Sequence, residues 1–311
     1  MTIVLYHYIR VIGQRKMNIH DDLNLLSLPF LVIVLAIVVG VFLVLLANSM
    51  TTFTREGINF LIGSNWSPSS ETYQILPALT GTFYTSVIAV LLALPISLGL
   101  VAFTYEYMPI TIRETIKSAL YYAAAIPTVV YGIWGLEFVV PAVRKFIEFW
   151  GLTASPTGQS ILAGAIVLAF MNIPYMSLII SEVYGKIPFT YIEAMHSLGA
   201  LGYERLRIKY GMVKGAVLGA SLLVFGKCVG ETTAVSMVVG NSFNLALSPL
   251  MPGITISSLI VNYVSETSLY NYMTGALFAA ALVMLVSSSL FILLGMWVAR
   301  RLVIGGGEWG G

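Results

Sequence analysis

Two charged side chains, Lys227 and Glu231, interrupt a segment that is otherwise apolar. A charge at the centre of a membrane-spanning helix costs roughly 2.5–3.5 kcal/mol on insertion scales. Because the two residues are four positions apart, a continuous helix would place them on one face, where they can form an ion pair. The pattern has two interpretations. The charges either neutralise each other against a partner subunit or the membrane interface, or they form a polar site on the path of a solute.

Three hydroxyl side chains accompany this pair, at Thr232, Thr233 and Ser236. They could donate hydrogen bonds to an anion held by Lys227. Alternatively, each hydroxyl could bond back to a backbone carbonyl about one turn earlier, as Ser and Thr commonly do in membrane helices. The sequence leaves both possibilities open, so we name these three residues as candidates for the substrate path.

Other kinds of chemistry find little support in the sequence. The single cysteine, Cys228, excludes an intrachain disulfide and a site of several cysteines. The three histidines are far apart and show no metal-ligand spacing. The pattern Gly-x4-Gly-Lys-[Ser/Thr] does not occur, so we expect no ATPase site and no cofactor bound by this chain. We expect Glu106 and Glu114 to be solvated beside a short loop.

The composition indicates a membrane protein. Of the 311 residues, 58% are hydrophobic and only 10% are charged, against roughly 25% charged in a soluble domain. The apolar residues form long blocks, and a helix needs roughly 20 such residues to cross a bilayer. We therefore predict an all-α, polytopic membrane protein with six transmembrane helices. They span residues 27–47, 77–104, 118–141, 159–181, 215–240 and 272–299.

The distribution of Lys and Arg predicts the orientation in a cell membrane. With the N-terminus in the cytoplasm, twelve of the 16 Lys and Arg residues lie in cytoplasmic segments and three lie outside. Such a bias favours this topology, with both termini inside. The chain is then predicted to consist of five parts. These are a cytoplasmic segment (1–26), the first helix (27–47), an extracytoplasmic segment (48–76), a core (77–299) with a cytoplasmic loop (182–214), and a cytoplasmic tail (300–311).

The loop at 182–214 is too polar to cross the membrane and contains a motif. Residues 193–199, Glu-Ala-Met-His-Ser-Leu-Gly, resemble the EAA loop of permeases from ATP-binding-cassette (ABC) importers, with Met195 in place of the second Ala. The second half departs from that pattern, because Lys-Tyr-Gly-Met at 209–212 stands where the family usually has Ile-x-Leu-Pro. The resemblance implies a short helix that docks on an ATPase. The residues it assigns to coupling are Glu193, Ala194, His196 and Gly199. The alternative is a solvated amphipathic connector.

Two further segments resemble one group of these permeases in particular. Residues 126–136, Ile-Pro-Thr-Val-Val-Tyr-Gly-Ile-Trp-Gly-Leu, are similar to the third span of phosphate permeases. Residues 226–241 resemble their fifth span, and the ending Met-Val-Val-Gly-Asn resembles the C-type subunit of Pst phosphate importers. The similarity extends over residues 80–300.

This resemblance implies a type I importer permease with the MetI-like fold. Its implied partners are a homologous A-type permease in a heterodimer, two ATPase subunits at the cytoplasmic face, an extracytoplasmic phosphate-binding protein and the lipid bilayer, but no nucleic acid. ATP and Mg would be used by the ATPase partners rather than by this chain.

Phosphate fits the charged pair chemically. Lys227 offers a point charge to the anion, and Glu231 could accept a hydrogen bond from a protonated phosphate oxygen. Sulfate carries no such proton at neutral pH, so the carboxylate would repel it. The family usually has Arg where Lys227 stands. Permeases for molybdate, tungstate or sulfate share the same motif and remain the alternative. A secondary carrier is a third possibility, although the two halves show no internal repeat.

Overall fold

The computed structural model describes residues 19–152 and 155–304, and the side chains of residues 29–152 and 155–301. The chain divides into two compact units, at residues 1–48 and 49–311. Of the predicted terminal segments, residues 1–18 and 305–311 lie outside the described part of the chain.

The first helix, α1, runs over Ile19–Glu56 and is therefore longer than the predicted helix at 27–47. Its stretch Pro29–Glu56 is the most apolar candidate span of the described residues. Beyond Asn48 the helix continues through a run of Ser and Thr residues, in which Ser49 and Thr52 are buried. Gly57 has a φ of +58° and follows the last helical residue, a position where glycine commonly ends a helix.

A small layer of short elements follows α1. The short helix α2 (Asn59–Ile62) leads to strand β1 (Trp66–Ser67), a 3-10 turn (Pro68–Ser70) and strand β2 (Thr72–Tyr73), which pairs antiparallel with β1. The Trp66 ring packs against Tyr73 at 5.0 Å, Tyr263 at 5.4 Å and Phe243 at 6.1 Å between ring centroids. Burial raises the pKa of the Tyr73 phenol, and this aromatic cluster joins the layer to the loop region after residue 240.

Three long helices confirm the predicted second, fourth and sixth spans. They are α3 (Leu76–Glu106), α7 (Ile161–Tyr184) and α13 (Met273–Ile304). Pro95 and Pro174 lie inside the first two of these helices without ending them. Such prolines are tolerated in membrane helices where neighbouring groups satisfy the freed carbonyl.

The predicted third span, 118–141, is not one continuous helix. Instead, α4 (Ile110–Ala124) and α5 (Thr128–Trp134) are followed by a π-helical turn (Gly135–Val139) and α6 (Val140–Phe149). The direction changes by 87° between Ala124 and Thr128. Pro127 lies at this break with a ψ of 138°. Because proline lacks an N–H and disfavours the helical conformation in the residue before it, the helix breaks there.

The predicted fifth span, 215–240, is also interrupted. Helix α8 (Phe189–Ser197) and helix α9 (Gly202–Met212) precede α10 (Lys214–Val229), with a bend of 66° between α9 and α10. After a break, the chain forms α11 (Thr233–Val238), then α12 (Ile256–Tyr263) and a 3-10 turn (Val264–Glu266). In the described residues four helices can each cross a membrane, and the number is six if each bent pair counts as one span. The prediction of six spans agrees with this count.

Close backbone packing joins α10 to α13. A Cβ added to Gly226 would lie 3.0 Å from the carbonyl oxygen of Ser288, and one added to Gly219 would lie 2.6 Å from the Cβ of Ala299. On the opposing helix, a Cβ at Gly295 would come within 2.9 Å of the backbone nitrogen of Leu223. Small residues allow membrane helices to approach this closely, and this contact fixes the helix that carries Lys227.

Candidate substrate site and coupling segment

The candidate substrate residues lie at the break between α10 and α11. Helix α10 ends at Val229 and is followed by Gly230, a residue with low helix propensity. The carboxylate of Glu231 then accepts a hydrogen bond from the backbone N–H of Ala234 at 3.3 Å. The Ser257 hydroxyl donates to the carbonyl oxygen of Glu231 at 2.7 Å, which holds the break against α12.

The break separates the two predicted charges. Lys227 lies in the last turn of α10, and Glu231 lies outside the helix. The ion pairs of the described residues do not include one between them. Of the two interpretations, the structure therefore does not show the one in which the charges neutralise each other on one helix face, and the polar site on the path of a solute stays a prediction. The Nζ atom of Lys227 instead lies 4.8 Å from the centroid of the Tyr175 ring, a distance at which a cation is attracted to an aromatic face. Both charged residues are half-buried.

The three candidate hydroxyls lie at the same break, and two of them bond locally. Thr232 donates to the carbonyl of Gly230 at 3.4 Å, and Ser236 donates to the carbonyl of Thr233 at 3.0 Å. The Ser236 bond, to a carbonyl about one turn earlier, is the back-bonding alternative that the sequence left open, whereas the Thr232 bond extends only two residues back. Thr232, Thr233 and Ser236 are all half-buried. A hydroxyl that donates to its own backbone still has lone pairs to offer, but it cannot also donate to an anion.

A buried polar contact that the sequence reasoning missed supports this region. The amide nitrogen of Asn172 on α7 donates to the carbonyl of Leu168 at 2.8 Å and approaches the Cys228 sulfur at 3.3 Å. From α13, the Ser288 hydroxyl donates to the carbonyl of Gly226 at 2.8 Å. The presence of Asn172 inside an apolar span could have predicted this contact, because buried amides in membrane helices usually bond to a neighbouring helix.

The predicted coupling residues lie on a short exposed helix and the turn after it. Glu193, Ala194 and His196 on α8 are exposed, whereas Met195 is buried. Gly199 has a φ of +71°. Its N–H donates to the carbonyl of His196, and the next N–H, of Ala200, donates to the carbonyl of Met195, each at 3.0 Å. This double closure is a Schellman motif, which favours glycine at the left-handed position.

A buried ion pair connects the segment after this turn to the membrane helices. The Nζ atom of Lys209 on α9 lies 2.6 Å from Oε1 of Glu106 at the end of α3, and the Tyr184 hydroxyl on α7 donates to the same oxygen at 2.8 Å. The two charged side chains are only 7% and 14% exposed. The expectation that Glu106 is solvated is therefore wrong. Tyr210 adds a hydrogen bond from its hydroxyl to the carbonyl of Leu98.

The residues at which the second half of the motif departs thus have a structural role. Lys209 and Tyr210 hold α9 against α3, where the family usually has Ile-x-Leu-Pro. No local sequence pattern indicates this contact, because Glu106 and Lys209 are 103 positions apart. Helix α9, which follows the predicted coupling residues, is consequently fixed to α3 and α7 through charged and aromatic side chains.

Comparison with known proteins agrees with this arrangement. The chain is 34% identical over 295 residues to the probable phosphate transport system permease protein PstC of Methanocaldococcus jannaschii. The matched region covers 90% of this chain and 94% of that protein. The chain belongs to the PstC family of permeases. It is also 30% identical over 287 residues to PstC of Mesorhizobium japonicum, with 87% of each chain covered. No family model matches the chain.

Solved structures share the fold of this PstC-family permease. A bacterial ABC transporter for the import of alginate matches with a TM-score of 0.53 at 15% identity, covering 94% of this chain and 99% of that chain. The inward-facing MetNI methionine ABC transporter matches with a TM-score of 0.51 at 15% identity, covering 73% and 94%. The predicted all-α, multi-pass membrane fold of an ABC importer permease is confirmed.

Proposed function

We propose that this chain is the C-type permease subunit of an ABC importer and that the imported solute is inorganic phosphate. Membership of the PstC family supports this proposal, because the relatives described above are named phosphate transport system permease proteins. The residues at the α10–α11 break support the proposal independently of this family membership.

The observation that carries the choice of phosphate is the separation of Lys227 from Glu231. Because the two charges belong to different segments and form no ion pair with each other among the described residues, each retains capacity to contact a solute. The ammonium of Lys227 would attract the anion as a point charge. The carboxylate of Glu231 would accept a hydrogen bond from the proton of monohydrogen phosphate and repel sulfate, which has none.

Thr232, Thr233 and Ser236 would line the same path. Since two of these hydroxyls donate to backbone carbonyls, they would contribute a polar surface more than direct donors to the anion. Lys227 would then provide most of the attraction, and Glu231 most of the discrimination between oxyanions.

The energy for transport would come from partner subunits. The sequence lacks the phosphate loop Gly-x4-Gly-Lys-[Ser/Thr], so ATP and Mg would be bound by two ATPase subunits. Their docking site would be the exposed residues Glu193, Ala194 and His196 together with the Gly199 turn. A homologous A-type permease would complete the membrane path as a heterodimer, and an extracytoplasmic phosphate-binding protein would deliver the solute.

Docking of ATPases at this segment sets the orientation. The coupling helix would face the cytoplasm, and the layer with the Trp66 cluster would face outward. Both termini would then lie in the cytoplasm of a cell-membrane protein, in agreement with the excess of Lys and Arg in the inner segments.

Reconstitution with the partner subunits in lipid vesicles tests the proposal. We expect ATP hydrolysis to be stimulated by the binding protein with phosphate, but not with sulfate or molybdate at equal concentration. Lys227→Met and Glu231→Gln should each reduce phosphate uptake about tenfold or more, as expected for the loss of a charged hydrogen bond of about 1.5–3 kcal/mol.

Matched controls come from α6, where Lys145→Met and Glu148→Gln remove the same charges from exposed positions. Uptake should be unchanged in both controls. Stimulation by molybdate or sulfate instead of phosphate would assign the chain to another oxyanion. Normal phosphate uptake by both Lys227→Met and Glu231→Gln would refute their role in the path.

A further inference from the structure

A second polar site lies at the end of the molecule that carries the coupling segment. A pocket of about 300 Å³ opens between the start of α4 and the end of α7. Tyr105, the residue before Glu106 in the chain, lines this pocket. The charged side chains that line it are three cations and two carboxylates: Arg113, Lys117, Lys186, Glu114 and Glu182. None of these residues belongs to the candidate substrate site or to the predicted coupling residues.

The Tyr105 ring positions two of the cations. The guanidinium of Arg113 lies 4.5 Å from the ring centroid and the Nζ atom of Lys117 lies 5.7 Å from it. Arg113 also donates to the backbone carbonyl of Tyr105 at 3.1 Å, while the Tyr105 hydroxyl donates to the carbonyl of Ser181 at 3.0 Å. A Cβ on Gly185 would lie 2.7 Å from that hydroxyl, so glycine lets the ring close against α7. Tyr105 therefore holds Arg113 and Lys117 in place, whereas Lys186 is an exposed residue at the edge of the pocket.

The charge balance of the pocket favours a monoanion. Three cations and two carboxylates leave one net positive charge. The contact between Lys117 and Glu114 is long, at 3.9 Å, and the Glu114 side chain is 62% exposed, so this pair binds weakly. The Nε atom of Arg113 is buried and has no hydrogen-bond partner among the described residues. A dianion would be repelled by Glu114 and Glu182, whereas a phosphodiester carries a single negative charge.

The apolar surroundings indicate where such a phosphodiester would come from. Ile110 lines the pocket and is 64% exposed. Ile112, Tyr121 and Tyr122 on the same helix, α4, are also exposed. An apolar helix surface next to a cationic pocket at the ends of membrane spans matches a phospholipid, whose acyl chains would follow α4 while its phosphate enters the pocket.

We propose that this pocket binds the phosphodiester of an anionic phospholipid whose headgroup carries hydroxyl groups, as in phosphatidylglycerol. The cations Arg113, Lys117 and Lys186 hold the phosphate. The carboxylates of Glu114 and Glu182 accept hydrogen bonds from the headgroup hydroxyls, which a choline headgroup does not have. The lipid would join α4 to α7 beside the coupling segment. This inference does not depend on which solute the protein transports.

Native mass spectrometry of the full chain, purified in detergent and titrated with phosphatidylglycerol or phosphatidylcholine, tests the site. We expect preferential binding of phosphatidylglycerol. Each Lys near a membrane surface contributes about a fivefold effect on binding of anionic lipid. Lys117→Gln and Lys186→Gln should therefore each weaken binding about fivefold, and the double variant about 25-fold. Lys214→Gln, which removes a charge from the exposed start of α10 outside the pocket, should have no effect.

Three results would overturn the proposal. The first is unchanged phosphatidylglycerol binding in the double variant. The second is equal binding of phosphatidylcholine. The third is displacement of the lipid by inorganic phosphate at millimolar concentration, which would identify a free-anion site. The thermal unfolding midpoint of each variant serves as the folding control. If Lys117→Gln unfolds, Lys186→Gln provides the test alone, because it leaves both cations on Tyr105 in place.

Discussion

Two sets of one Lys and one Glu differ in whether their charges form an ion pair. Lys227 and Glu231 are four positions apart, yet they lie on different segments and form no ion pair with each other among the described residues. Glu106 and Lys209 are 103 positions apart, yet they form a buried ion pair of 2.6 Å. The local pair is half-buried, whereas the distant one is almost completely enclosed.

The difference follows from what surrounds each charge. A buried ion pair persists when further hydrogen bonds satisfy its oxygens, and Tyr184 supplies one to Glu106. At the α10–α11 break, Glu231 accepts a hydrogen bond from the backbone of Ala234, and Lys227 rests on Tyr175. We therefore expect the distant pair to serve stability and the local charges to serve binding. Four predictions test this division.

The largest effect on stability should come from Glu106→Gln. It leaves the buried ammonium of Lys209 without its counter-charge, which we expect to cost about 3–5 kcal/mol of unfolding free energy. Thermal unfolding of the purified chain in detergent measures the loss. Glu148→Gln, at an exposed carboxylate on α6, is the control and should cost about 0.5 kcal/mol or less. Equal unfolding of both variants would end the assignment of a structural role to Glu106.

The double variant Glu106→Gln with Lys209→Gln sharpens this result. Removing the second charge removes the unpaired ion, so the double variant should be less destabilised than the sum of the two single variants. Residues in direct contact show interaction energies of about 0.5–3 kcal/mol in such cycles. Additive losses, measured by the same unfolding assay, would mean that the two side chains do not interact.

A smaller loss is expected for Tyr184→Phe, which removes the hydrogen bond to the Glu106 carboxylate. A hydrogen bond to a charged group contributes about 1.5–3 kcal/mol, against about 1 kcal/mol for a neutral one. Tyr105→Phe, which removes a hydrogen bond to the Ser181 carbonyl, is therefore the matched comparison. If Tyr105→Phe costs more than Tyr184→Phe, the charge on Glu106 does not strengthen its contact with Tyr184.

The smallest effect on stability should come from Lys227→Met and Glu231→Gln. Neither change breaks an ion pair of the part of the chain that the structure describes, and Gln keeps a carbonyl oxygen that can accept from the Ala234 N–H. We expect a change of about 0.5 kcal/mol or less, as for substitutions away from structural features. A loss comparable to that of Glu106→Gln would show that the local charges are structural after all, even if uptake also falls.

The sequence predicted the long helices well because they are uniformly apolar. To predict the spans that contain α3, α7 and α13, it was enough to find segments with about 20 apolar residues, the number that a helix needs to cross a bilayer. The motif at residues 193–199 predicted a short helix, which the structure contains as α8, and the Gly199 turn after this helix explains why the motif ends in glycine. Whether these residues contact an ATPase, and whether Lys227 contacts phosphate, stay predictions.

The sequence failed where an apolar run does not remain one helix. Residues 118–141 and 215–240 satisfy the apolar count, but Pro127 breaks the first and Gly230 follows the last helical residue of the second. A hydropathy count averages over such positions, although a single proline or a polar contact such as Ser257 to Glu231 decides the local backbone. The interpretation in which Lys227 and Glu231 neutralise each other failed for the same reason, since it assumed a continuous helix.

By itself, the sequence determined that the chain is a multi-pass membrane protein, which spans are apolar, and which family its motifs resemble. These properties depend on composition and on short patterns, which need no knowledge of the fold. Only the tertiary structure decided which charges meet. The partner of Glu106 is brought to it by the packing of α3, α7 and α9, and no local pattern records a contact between residues so far apart in the chain.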